Sequence, residues 1–270
     1  MDKRLRFAQS LAWEVGRGLA RRFEDARNHP RRKADRSLVT DADMEADERL
    51  TRALEAAFPG VPILSEERTT ALDDVAAAWV IDPLDGTTNF ALGLPMWGVL
   101  VAFLEDGRPS LAVAYFPMTD ELFAAARSQG ATRNGIPIST KEVDAAHNTA
   151  FALVCSRTLQ RYRLDWRWKL RILGSAGYEM ALVARGVAIA AVESVPKVWD
   201  LAAPTLLVEE AGGHWATLDG SAPFPLQPGV DYGRRDFPML AAASPSLWAT
   251  LRRGVAPKNS APDAASGAKG

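Results

Sequence analysis

The sequence predicts a layered fold of the α/β or α+β class. Helical patterns open the chain and return in its second half, with short apolar runs joined by tight turns between them. Such runs read as strands linked in hairpins. Helices mixed with hairpin-linked strands indicate layers and not a doubly wound nucleotide fold. No Gly-x-x-x-x-Gly-Lys-Ser/Thr string is present, which excludes P-loop chemistry.

In residues 3–28, Leu11, Val15, Leu19 and Phe23 recur every four positions, with Arg17, Arg21, Arg22 and Glu24 between them. This is an amphipathic helix, ended by His29-Pro30. Arg31, Arg32, Lys33 and Arg36 make a basic loop over 31–36, either a solvated connector or a loop that attracts an anionic substrate. Thr40 and Asp43 are spaced as a helix cap, and Met44, Leu50, Leu54 and Phe58 supply the apolar face of a second helix. Pro59-Gly60 stops it. Residues 61–64 are a short apolar segment closed by Ser65-Glu66-Glu67. Residues 76–81 read as a buried strand ending abruptly at Asp82. Residues 98–105 and 110–116 flank Asp106-Gly107, a hairpin signature. Residues 121–127 add a strand, and Arg133-Asn134-Gly135 a turn.

Composition turns polar at 141–148, a soft boundary between an N-terminal α+β half (1–145) and a C-terminal α/β half (146–254). The second half opens with an apolar run at 150–155. A Trp-containing segment, 161–169, precedes 170–173. Gly174-Ser175-Ala176-Gly177 is a turn opening a helix through Arg185. Residues 187–192 read as a strand ending at Glu193. Trp199-Asp200 precedes a helix over 201–211, closed by Gly212-Gly213. Residues 239–243 form a last strand and 246–253 a last helix. Residues 255–270, rich in Ala, Gly, Pro, Ser and Lys, read as a disordered tail.

A length of 270 residues suits one large domain or two coupled halves. The net charge of −1 provides no field for nucleic acid or an anionic membrane. The longest apolar runs, such as 97–104, are too short to span a bilayer. Cys155 is the single cysteine, so no intrachain disulfide can form; with no signal-type apolar core in residues 1–20, a cytoplasmic location is expected. Cys155 lies in an apolar run and reads as a buried structural thiol. His29, His147 and His214 stand beside turn or polar residues, which gives a His-based triad or zinc site little support.

Glu66, Asp82, Asp85 and Asp200 each sit where an apolar segment meets a loop or helix start. Carboxylates crowded together repel unless a cation or proton separates them. All-oxygen donors without His or Cys select hard ions: Mg²⁺, with Mn²⁺ or Ca²⁺ as alternatives. Two or more Mg²⁺ ions sharing carboxylates suit in-line displacement at phosphorus. Gly86-Thr87-Thr88 follows Asp85; a helix starting there would offer the Gly86 and Thr87 amides to a phosphate oxygen. An Asp-x-x-Asp string also occurs in ordinary turns, so the string alone leaves both readings open.

These residues resemble the inositol monophosphatase family. Asp82-Pro83-Leu84-Asp85-Gly86-Thr87-Thr88-Asn89-Phe90 is similar to its first signature. Val198-Trp199-Asp200-Leu201-Ala202-Ala203, followed by Glu210-Ala211-Gly212-Gly213, is similar to its second. Leu173-Gly174-Ser175-Ala176, Leu64-Ser65-Glu66-Glu67 and Leu38-Val39-Thr40-Asp41-Ala42-Asp43 resemble three further elements, in order. The resemblance spans roughly residues 5–250. It implies an α/β/α/β/α sandwich of the inositol-monophosphatase/fructose-bisphosphatase-like kind, lithium-sensitive hydrolysis of a phosphate monoester, two to three Mg²⁺ ions with Mn²⁺ as a substitute, and a homodimer. By motif position, Glu66, Asp82 and the Leu84 carbonyl would hold one ion; Asp82, Asp85 and Asp200 would hold another; Glu66 would help hold a weaker third. Thr87, with Asp43 behind it, would orient the attacking water. The Gly86 and Thr87 amides would bind phosphate. Ser175, Ala176, Glu193 and Asp200 would line the substrate pocket.

Two departures stand out: Ser65 replaces the usual glycine before the Glu pair, and Pro204 follows the second signature, expected in a first helical turn. Residues 156–165 match no family element. The implied substrate is a small phosphorylated polyol, inositol 1-phosphate first. Histidinol phosphate, fructose 1,6-bisphosphate and 3′-phosphoadenosine nucleotides are alternatives, and Leu94-Pro95-Met96-Trp97-Gly98-Val99-Leu100 is similar to histidinol-phosphatase relatives. A non-catalytic partner in RNA processing is a further alternative; retention of Glu66, Asp85, Thr87 and Asp200 argues for catalysis.

Overall fold

The computed structural model describes residues 2–24, 31–32, 38–39 and 41–258. The first half contains α1 (Lys3–Glu24), the short strands β1 (Arg31–Arg32) and β2 (Leu38–Val39), α2 (Asp41–Ala57), β3 (Ile63–Ser65), β4 (Ala77–Asp85) and α3 (Thr87–Ala91). β5 (Gly98–Glu105), β6 (Arg108–Phe116), β7 (Glu121–Ala126), β8 (Ala131–Arg133) and β9 (Ile136–Ile138) follow. Strands β3 to β9 form one seven-stranded sheet in chain order, antiparallel except for the β3–β4 pair. Chain order is what hairpins dictate: Asp106-Gly107 has φ values of 49° and 70°, the conformation that a two-residue hairpin turn requires.

The second half contains β10 (Phe151–Val154), α4 (Ser156–Arg161), β11 (Tyr162–Leu164), β12 (Lys169–Arg171), α5 (Ala176–Ala184), β13 (Ala190–Glu193) and α6 (Val198–Glu210). It closes with β14 (His214–Thr217), β15 (Met239–Ala242), α7 (Pro245–Arg253) and β16 (Val255–Pro257). Its five-stranded sheet has the order β12-β10-β13-β15-β14, with β10 parallel to both neighbours.

Five layers result, α/β/α/β/α. α1 and α2 cover one face of the seven-stranded sheet; α5 and α6 fill the space between the sheets; α4 and α7 cover the outer face of the five-stranded sheet. Strand alternation feeds both cores. In β4, Ala78 and Val80 join the central core with α5 and α6, while Trp79 and Ile81 join the core under α1 and α2. α6 is buried nearly all round because it has a sheet on either side.

Several sequence expectations need correction. The basic loop begins as a strand, since Arg31 and Arg32 pair with Leu38 and Val39; Lys33, Arg36 and Thr40 lie outside the described residues, as does the end of the first helix beyond Glu24. Met44 is 43% exposed, and Ala42, Asp43, Ala46 and Asp47 are buried with Leu50 and Leu54. The buried face of α2 is thus built partly from aspartates, which a hydrophobicity pattern cannot signal. α6 starts before Trp199, so Pro204 lies in its second turn and not its first. Pro204 has no N–H for the Asp200 carbonyl one turn back, and the Thr205 hydroxyl donates to Leu201 O at 2.7 Å. Residues 255–257, read as part of a disordered tail, form β16 paired with β11.

Candidate active site and metal centre

β4 carries the first two carboxylates. The strand does not end at Asp82 as expected. It pairs with β5 through Asp82↔Leu100, then shifts register and resumes at Asp85↔Gly98. Pro83 cannot donate to the ladder, so a bulge falls here. Within it, Asp82 Oδ1 accepts the Leu84 N–H at 3.0 Å. Asp82 Oδ2 is buried without a hydrogen-bond partner among the described residues.

Glu66, just past β3, and Asp200, in the first turn of α6, face Asp82. One carboxylate oxygen from each of the three lies within 4.8 Å of the others. Burial, then the charges of Glu66, Asp200 and Asp85, push the Asp82 carboxyl well above the ordinary range. Burial, then Glu66 and Asp85, raise Asp200 to about 8. Asp200 is held at its helix start, where its Oδ2 accepts the Lys197 N–H at 2.6 Å. An orphaned buried oxygen amid three mutually repelling carboxyls fits a hard divalent cation such as Mg²⁺.

Asp85 is held differently. Its Oδ1 accepts the Ala176 N–H at 3.1 Å, and its Oδ2 accepts the Gly177 N–H at 2.9 Å and the Ser175 hydroxyl. It caps the N-terminus of α5, where unpaired amides favour an anion. Burial raises its carboxyl to about 6 despite these bonds. Asp85 is outside the three-carboxylate cluster; its Oδ1, with one N–H bond, keeps a lone pair for a further partner. Ser175 and Ala176, expected on the substrate wall, do line the cleft, but the serine hydroxyl and the alanine amide serve Asp85.

Gly86 turns the chain from β4 into α3 with φ 87°, a left-handed conformation. A Cβ there would lie 2.8 Å from Met96 O and 3.2 Å from Ser175 Cβ. Thr87 Oγ1 lies 2.9 Å from Asp43 Oδ1 and 3.0 Å from Leu84 O. With its single proton directed at these acceptors, its lone pairs can accept from another molecule. Asp43 stands behind Thr87 at the start of α2, buried.

Glu193 ends β13 and reaches the cleft with Oε1 unpartnered among the described residues. Beside it is Glu179, whose Oε1 accepts the Leu173 and Gly174 N–H groups at 2.9 and 3.1 Å. Burial first, then Glu179 and Cys155, hold the Glu193 carboxyl well above its usual range.

The cleft has a volume of about 590 Å³, the size of a small-metabolite site. Glu66, Asp82, Leu84, Asp85, Gly86, Thr87, Ser175, Ala176, Glu193 and Asp200 all line it. Its far wall includes Ser156 and Arg157, the start of the 156–165 segment that matches no family element. Cys155 does not lie inside a strand; it caps α4, half-buried, its Sγ accepting the Thr158 N–H at 3.3 Å. Burial raises that thiol, but hydrogen bonds from Thr158 and Ser194 outweigh it and lower the pKa. Leu94 and Ile172 also line the cleft. Only packing between distant segments brings them there. Asn89, in the first signature, donates from its Nδ2 to Met96 O at 2.6 Å and Leu173 O at 2.7 Å, tying α3 to both segments. Glu210, in the second signature, is a bolt between layers: its carboxylate accepts the Ser128, Gln129 and Gly130 N–H groups at 2.7, 3.0 and 2.8 Å.

Five layers around a carboxylate-lined cleft define the layered sandwich class. The model of the inositol monophosphatase family matches residues 1–249, and the chain belongs to that family. It is 35% identical over 203 residues to a histidinol-phosphatase of Mycobacterium tuberculosis, covering 70% of this chain and 78% of the relative. It is 36% identical over 207 residues to Nus factor SuhB of Xylella fastidiosa, covering 72% and 74%. Its fold matches the solved structure of a Thermotoga maritima IMPase with a TM-score of 0.78 at 26% identity, over 93% of this chain and 98% of the other.

Proposed function

We propose that the cleft hydrolyses the phosphate monoester of a small polyol in a Mg²⁺-dependent reaction, with inositol 1-phosphate as the leading substrate. The observation that carries this is the Glu66–Asp82–Asp200 cluster, with Asp82 buried at its centre, which lines one cleft with Gly86 and Thr87. Glu66, Asp82 and the Leu84 carbonyl would hold one ion; Asp82, Asp85 and Asp200 a second; Glu66 a weaker third. Bound Mg²⁺ acidifies water and offsets charge on the phosphate, with Mn²⁺ as a substitute and lithium as an inhibitor.

The protein groups supply position. Asp43 draws the Thr87 proton, so the Thr87 oxygen accepts a hydrogen from the attacking water and turns that water's lone pair toward phosphorus. The Gly86 and Thr87 amides hold a phosphate oxygen. As the water oxygen bonds to phosphorus, the P–O ester bond breaks, and the proton that the water gives up balances the one the leaving ester oxygen takes to become an alcohol. Glu193 accepts hydrogen bonds from the leaving group's hydroxyls. The proposal includes a cytoplasmic homodimer.

A second substrate reading has its own observation. Glu193 brings to the cleft a buried carboxyl oxygen without a hydrogen-bond partner among the described residues, with the buried Glu179 beside it, and Leu94 and Ile172 add apolar walls. A leaving group with a cation and a ring, as in histidinol phosphate, suits these as well as a polyol does. The test is phosphate release from inositol 1-phosphate, histidinol phosphate, fructose 1,6-bisphosphate and 3′-phosphoadenosine 5′-phosphate, with and without Mg²⁺. Hydrolysis that requires Mg²⁺ and falls by orders of magnitude in Asp85→Asn is expected. Hydrolysis indifferent to a chelator or to Asp85→Asn overturns the metal assignment, and no hydrolysis of any ester favours a binding role like that of a Nus factor.

A further inference from the structure

α2 presents two aspartates one turn apart, Asp43 and Asp47, both buried. Asp43 holds Thr87. Asp47 has no part in the reading given above, yet its side chain is 0% exposed and both oxygens are engaged by the turn that carries Glu66. Oδ1 accepts the Ser65 hydroxyl, and Oδ2 pairs with the Arg68 guanidinium. Ser65 Oγ in turn lies 3.3 Å from the Glu67 N–H it accepts, and the Ser65 N–H donates to Thr69 O at 2.8 Å. The turn over 65–69 is therefore closed on itself and pinned, on both sides of Glu66, to one carboxylate.

The sheet does not supply this restraint. β3 pairs with β4 only as far as Ser65↔Ile81, one residue short of Glu66 and Asp82. Ser65, which departs from the family's glycine, is the hydroxyl that makes the pin possible.

We propose that Asp47 is a positioning residue that sets the metal affinity of the centre by fixing Glu66, so that α2 holds both the Thr87 hydroxyl and the Glu66 carboxylate from one helical face. This rests on the metal reading above. Partners behind a metal ligand tune affinity about 10–100-fold when removed.

The test measures Mg²⁺ binding to the full chain by calorimetry without substrate, and Mn²⁺ binding by electron paramagnetic resonance. Asp47→Asn removes the ion pair with Arg68 and should weaken binding about tenfold, with kcat at saturating Mg²⁺ changed less than about twofold. Arg68→Gln, at a site 41% exposed, should move affinity in the same direction and keeps the test alive if Asp47→Asn fails to fold. Ser65→Ala should weaken binding and Ser65→Thr should restore it. Wild-type affinity in folded Asp47→Asn and Arg68→Gln overturns the proposal, as does a loss of thermal stability without a loss of affinity. Absence of Mg²⁺ binding by the unaltered protein overturns the metal reading itself, a distinguishable result.

Discussion

Asp82 Oδ2 is a buried acceptor that nothing in the described protein satisfies, with Glu66 and Asp200 close by. Such an arrangement opposes folding of the metal-free chain and favours a cation. Asp82→Asn should therefore act with opposite signs. In chelator, thermal unfolding should rise by about 2–4 °C, as expected for ~1 kcal/mol in a chain of this size. The Mg²⁺-induced rise in Tm should vanish, and phosphate release with it; a variant less stable than the parent in chelator would contradict this account. Thr87 should separate chemistry from binding. Thr87→Ala removes the hydroxyl proposed to orient the water and should lower kcat by about 10²–10³, while calorimetry should report an unchanged Mg²⁺ affinity. Thr87→Ser should keep most of the rate. These residues were legible in the sequence because they lie in one string, where a strand end, two acids and a glycine stand within a few positions. Cys155 and Ile172 were not, since the cleft wall they form exists only once distant segments pack.

Helix starts position the acids. Asp85 is fixed by the first amides of α5, and Asp200 is itself in the first turn of α6. Gly177 makes the α5 contact possible: a Cβ there would meet Asp85 Oδ2 at 2.8 Å and Leu100 Cδ2 at 2.8 Å. Gly177→Ala should push α5 away from Asp85, lowering kcat/KM by at least about tenfold and stability by about 1–3 kcal/mol, read by kinetics and denaturant titration. Hydrophobic periodicity located most elements, because apolar faces repeat at helix or strand spacing. It misplaced the start of α6, because Trp199 and Asp200 already belong to the helix, and it misread α2, whose buried face includes Asp43 and Asp47. A buried carboxylate with its own partners looks like a surface residue in sequence.

At the scale of the molecule, the layers were legible as a class but not as an order. Hairpins fix the seven-stranded sheet locally, whereas β12-β10-β13-β15-β14 depends on contacts between segments far apart in sequence. The same holds for the cleft wall. Cys155, Ser156 and Arg157 continue into α4 and β11, and β11 pairs with β16 at Tyr162↔Pro257 and Leu164↔Val255. Ending the chain at Gly254 should loosen that wall, raising KM severalfold with Mg²⁺ affinity unchanged, while ending it at Lys258 should alter neither. Equal KM values in the two truncations would show that β16 has no role in the wall.

The acids of the cleft come from both sheets and the layer between them: Asp82 and Asp85 from β4, Glu193 from the end of β13, and Asp200 from the first turn of α6. A cation held among them ties segments far apart along the chain, and closing so long a loop restricts the unfolded state much as a covalent bridge does. With Cys155 its single cysteine, this chain cannot make an internal disulfide. In the proposed reading the ion is a clasp that the protein can lose and regain, so the element that organises the reaction would also decide how tightly the two halves are buttoned together.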